Sequence, residues 1–105
     1  MMLKEKKCVP CEGGIPPLST KEVINFMQEL KDWTLDNGHL VKHFNFKDFK
    51  ENMDFVNKIA KISEEEGHHP VLFINYNKLK VELWTHAING LSENDFILAA
   101  KIDSL

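Results

Sequence analysis

The chain has little cysteine, no long apolar run and no surplus of positive charge, and each shortage excludes a class of protein. Two cysteines, Cys8 and Cys11, are too few to staple a small domain together, and they are expected to stay reduced. As a C-x-x-C pair they supply at most half of a zinc site, and with no second pair to complete it no metal is expected. No stretch approaches the ~20 apolar residues that span a bilayer, and the start MMLKEKKC lacks the apolar core of a secretory signal. The expectation is a cytoplasmic protein with no membrane partner. Thirteen Lys and Arg against sixteen Asp and Glu leave a net charge of −3 and no basic stripe, so nucleic acid is not an expected partner.

What is present suits one soluble domain: 105 residues, 43% hydrophobic and 28% charged, with the apolar residues in short patterned runs. Residues 1–18, with Gly13-Gly14 and Pro16-Pro17, read as a flexible arm, and residues 19–105 as a single domain. Ser19-x-x-Glu22 is a capping box that opens a first helix, whose apolar face is Val23, Ile24, Phe26, Met27 and Leu30. Asn37-Gly38 marks a tight hairpin between a strand ending near Asp36 and one running from Leu40 to Phe46, with Lys42 interrupting its apolar face. Residues 47–66 repeat apolar groups at helical spacing, and Gly67 and Pro70 end that second helix. Residues 71–76 and the alternating Leu79, Val81 and Leu83 make a second hairpin, with its turn expected at Asn77-Lys78. Ser92-x-x-Asp95 opens a third helix. The order α-ββ-α-ββ-α predicts an α+β fold in which a four-stranded antiparallel sheet carries three helices on one face. A homodimer or homotetramer built through an unpaired sheet edge or a helix face is a reasonable expectation.

Three of the five histidines lie at the two ends of that second hairpin: His68 and His69 before it, His86 after it. Its open end brings them together, with Pro70 expected close to opposite Thr85. Imidazoles exchange protons near neutral pH, and mutual repulsion favours a mixed protonation state, so the cluster suits a reaction needing acid and base together. No serine or cysteine stands beside them as a nucleophile, which favours proton transfer over covalent catalysis. A second reading is purely structural: His68 capping the helix end, His69 a surface residue before proline, His86 a strand-end residue. His39 and His43 are given no role.

Glu64, His68-His69-Pro70, Tyr76, His86 and Asp95, in that order and spacing, resemble the signature of the pterin-4a-carbinolamine dehydratases. Leu30-x-x-Trp33, Phe44-x-Phe46-x-x-Phe49, Thr85-His86, Gly90-Leu91-Ser92-x-x-Asp95 and the arm Cys11-Glu12-Gly13-Gly14 before Pro16-Pro17-Leu18 extend the likeness along nearly the whole chain, in the manner of bacterial members. The resemblance implies dehydration of 4a-hydroxytetrahydropterin to quinonoid dihydropterin in tetrahydrobiopterin recycling, with the pterin as substrate and no cofactor. It implies His68 and His86 as acids acting on opposite ring faces, and His69 chiefly holding substrate. Glu64, Pro70, Thr85 and Asp95 would complete the substrate site, although Glu64 is equally a member of a solvated Glu run and Asp95 a capping residue. Trp33 and Tyr76 read as packing residues, and Trp84 as an oligomer contact or pocket wall. The alternative function is a non-catalytic dimerisation or assembly role on the same fold.

Overall fold

The computed structural model describes residues 2–10 and 15–105. Cys11 and the Glu12-Gly13-Gly14 that follows it lie outside the described residues, and so does the C-x-x-C pair as a unit. Helix α1 (Thr20–Met27) opens on the capping box: Ser19 Oγ accepts the Glu22 N–H at 3.2 Å, and Glu22 Oε1 accepts the Ser19 N–H at 3.0 Å. Strands β1 (Thr34–Asp36) and β2 (His39–Asn45) are joined by Asn37 and Gly38 at φ 52° and 79°, the two positive values a type I′ turn requires. Helix α2 (Phe49–Glu66) is capped by Asp48, whose side chain accepts the Glu51 N–H. Strands β3 (Val71–Asn75) and β4 (Lys78–Leu83) and helix α3 (Glu93–Asp103) complete the expected α-ββ-α-ββ-α order. The four strands form one antiparallel sheet in the order β1-β2-β4-β3.

Alternation on β4 sorts its side chains: Leu79, Val81 and Leu83 are buried in the core with Ile59 of α2 and Phe96 and Leu98 of α3, while Lys80 and Glu82 face outward. Lys42, which breaks the apolar pattern of β2, is opposite Val81 on the core side. Its Nζ reaches Asp103 Oδ1 at 2.7 Å, and the same oxygen accepts Trp33 Nε1–H at 2.9 Å, so the end of α3 partners a cation that would otherwise be stranded.

Two expectations are corrected. The β3–β4 turn is Tyr76-Asn77, not Asn77-Lys78, because Asn75 pairs with Lys78. The buried Asn52 of α2 donates through Nδ2 to Tyr76 O and Lys78 O, both at 2.9 Å, gripping the turn with Tyr76 held at φ 50°. Continued toward the open end, this register sets His68 opposite Thr85, where Pro70 was expected. The second correction concerns the arm, whose residues 2–10 are anchored on the fold at Leu3, Lys4, Cys8 and Val9 and are not loose. Leu3, 1% exposed in a 3-10 turn (Leu3–Glu5), lies in the core; Leu3 N–H donates to Glu29 Oε1 at 2.9 Å, and Lys101 Nζ donates to Lys4 O at 2.9 Å. The cause lies in α3, whose buried residues run from Asn94 to Ala100 without an exposed stripe. A helix buried on every side, with Phe96, Ile97, Leu98, Ala99 and Ala100 apolar in succession, needs a second covering layer, to which the arm contributes Leu3.

Candidate active site

Three local devices deliver the histidines. At the end of α2, Gly67 turns left-handed at φ 65°, and its N–H and that of His68 both reach Ser63 O. This turn swings His68 toward α3, where Nε2 lies 2.6 Å from Asp95 Oδ1. Asp95 is fully buried, and its Oδ2 accepts Thr85 Oγ1–H at 2.8 Å and the Ser92 N–H at 3.0 Å. With Thr85's proton committed to Asp95, the Ser92 hydroxyl donates to Thr85 Oγ1 at 2.7 Å. The carboxylate is thus surrounded by donors, which fixes the proton of a neutral His68 on Nε2 and leaves Nδ1 as the nitrogen for a ligand.

His69 is exposed, with Nε2 against Glu64 Oε2 at 2.5 Å, a pair that orients the ring while adding little stability. His86 follows β4 in a single 3-10 turn (His86–Ile88) closed by Thr85 and Gly90, which exchange backbone hydrogen bonds of 2.8 and 3.4 Å. Gly90 is required there, because a Cβ would meet the Pro17 ring at 2.8 Å.

These devices converge on one cavity of about 300 Å³, lined by Val9, Gly67, His68, His69, Trp84, Thr85, His86, Ala87 and Asn94. Val9 is fixed as a wall by two hydrogen bonds with Asn94, 3.0 Å to its Oδ1 and 2.6 Å from its Nδ2. Cys8, next to it, is a poor nucleophile: burial, reinforced by the nearby Glu66 carboxylate, pushes its thiol up to about 12. Burial pushes Glu66 upward as well, but the Cys8 N–H together with Lys101 and Lys7 outweighs it and holds the carboxyl below the usual range. A larger cavity of about 680 Å³ between the arm and α3 holds no histidine, so it offers no acid–base chemistry of this kind. A concave site with several imidazoles, one backed by a buried carboxylate, is suited to moving protons on a small ligand.

A family model described as pterin 4 alpha carbinolamine dehydratase matches residues 16–105. The chain belongs to this family. A protein of Rickettsia canadensis named "Putative pterin-4-alpha-carbinolamine dehydratase" is 55% identical over 98% of this chain and 96% of its own length. One of the same name from Nitrosomonas eutropha is 48% identical over 98% and 92%. A crystal structure titled as a transcriptional coactivator/pterin dehydratase from Brucella melitensis superposes with a TM-score of 0.79 at 31% identity, over 84% of this chain and 96% of that one. A pterin dehydratase-like protein described as a RuBisCO assembly factor shares the fold, with a TM-score of 0.61 at 23% identity over 72% and 90%.

Of the residues that resemble the dehydratase signature, His68, His69, His86 and Thr85 line the cavity. Glu64 and Asp95 reach it only through the histidines they hold, and Pro70 is not among its lining residues. Val9 and Asn94 escaped the sequence reading because only the packed arm brings them there. His39, given no role, is opposite Trp84 when the β2–β4 register is continued one position, and the two rings stack at 4.1 Å. Parity along the strands would reveal that pair only once the register was known.

Proposed function

We propose that the chain dehydrates a 4a-hydroxytetrahydropterin, releasing water and quinonoid dihydropterin, and so serves the recycling of tetrahydropterin. The C4a–O bond breaks, the N5 proton departs and a C4a=N5 double bond forms. Hydroxide is a poor leaving group, so an acid delivers a proton to it while a base removes the one on N5. His68 and His86 act as acids on opposite faces of the pterin ring, and His69 with Thr85 holds the substrate. Asp95 supports the charge His68 acquires when it is protonated, and Glu64 orients His69.

The observation that carries this reading is the convergence of His68, His69 and His86 on one cavity of about 300 Å³, with His68 held at 2.6 Å by a buried carboxylate. A histidine whose only task was to cap α2 would have no need of Asp95. Copies of the chain assemble through the exposed edge strand β3, where Phe73 is 65% and Val71 44% exposed.

The test follows freshly generated 4a-hydroxytetrahydropterin by ultraviolet absorbance. Wild type accelerates its dehydration, and the His68→Ala/His86→Ala double variant, folded by circular dichroism, does not. No acceleration by folded wild type would sink the catalytic reading and move the function to protein binding.

A further inference from the structure

Two of the three cavity histidines have a carboxylate of their own: Asp95 for His68 and Glu64 for His69. Among the described residues no side chain hydrogen-bonds the His86 ring, although His86 sits on a short exposed turn that does not by itself fix a ring plane. The ring rests instead on Trp84, with centroids 4.3 Å apart and planes inclined by 37°. Trp84 in turn stacks on His39 at 4.1 Å and 3°. His39 Nδ1 is 2.6 Å from Glu82 Oε2, and the other Glu82 oxygen faces Lys80 Nζ at 3.7 Å.

We infer that Glu82, His39 and Trp84 are positioning residues for His86: a carboxylate-anchored stack of three rings that replaces the direct carboxylate partner His86 lacks. The inference deepens the dehydratase reading and rests on it. Strand geometry supplies the alignment, since residues 39, 82 and 84 share the outer face of the sheet at the β2–β4 pairing, where Leu40 is opposite Leu83 and Val41 opposite Glu82. Glu82 is suited to the anchor: the His39 hydrogen bond outweighs burial and, with Lys80, keeps its carboxyl below the usual range. The stack has two consequences for His86. Its ring plane is fixed toward the cavity, and its protonated form lies against the negative face of the indole.

The test pairs Trp84→Phe, which keeps an aromatic face, with Trp84→Leu, which fills similar space without one, and adds His39→Ala, which removes the clamp without touching the cavity. One readout is the ring-current shift of the His86 ring protons by NMR, which reports the stack whether or not pterin is turned over. The other is the division of any loss between kcat and KM.

The expected result is an upfield shift in wild type that survives Trp84→Phe, disappears in Trp84→Leu and shrinks in His39→Ala. Expected alongside it is a fall in kcat of about tenfold or more for Trp84→Leu and a smaller one for His39→Ala, with KM little changed. Unshifted His86 protons in wild type, or a loss confined to KM, would overturn the inference. An intact shift in a wild-type protein without turnover would overturn the dehydratase reading beneath it.

Discussion

Asp95→Asn is the substitution that most directly probes the site. The amide keeps the shape of the carboxylate, and its oxygen can still accept from Thr85 Oγ1 and the Ser92 N–H. Each bond changes from charge-assisted to neutral, a loss of roughly 1 kcal/mol apiece. Relief from burying a charge offsets part of this, so the net destabilisation should be about 1–2 kcal/mol. The chemical effect is larger. The amide NH₂ now faces His68 Nε2, and an imidazolium, which carries hydrogen on both nitrogens, would meet a donor with a donor. His68 is forced into the neutral form protonated on Nδ1 and is lost as an acid. Turnover should fall on the order of a hundredfold, as for removal of a general acid. Urea unfolding reports the first effect, and the dehydration assay on folded protein the second. Turnover within twofold of wild type in a folded Asp95→Asn protein would refute the role given to the His68–Asp95 pair.

Other substitutions test neighbouring claims. Leu3→Ala should cost about 2–4 kcal/mol in urea unfolding, because Leu3 is 1% exposed in the core; a change below about 0.5 kcal/mol would mean that the arm detaches without unfolding the rest. Cys8 in a Cys11→Ser background should react with iodoacetamide at pH 8 roughly a thousandfold more slowly than a thiol of pKa 9.0, since three units separate that value from about 12. Raised pH should weaken the fold here. The unfolded thiol ionises near its ordinary value while the folded one stays neutral, so this contribution is complete below pH 9 and is lost above it.

The capping box at Ser19, the Asn37-Gly38 turn, the alternation of β4 and the stop at Gly67 are local signals, and they sufficed for element order and fold class because each depends on residues within a few positions of one another. The candidate histidines were legible for a related reason, as their spacing places them at the two ends of one hairpin. Other features depended on long-range packing. Register at the β3–β4 turn is decided by buried Asn52, 24 residues from Tyr76, and a two-residue change in the opposing position puts His68, not Pro70, across from Thr85. Packing of the arm follows from α3 being buried on all sides, a demand that residues 2–10 do not announce. Asp95 reads from its spacing as a cap, and only the fold sets it 2.6 Å from a histidine 27 residues away. His39 lacked any local mark, since its value lies in an indole that only the β2–β4 register brings opposite. Short-range patterning determines which elements form, whereas the pairing of buried polar groups, each of which needs a partner once water is excluded, decides which side chains meet at the site.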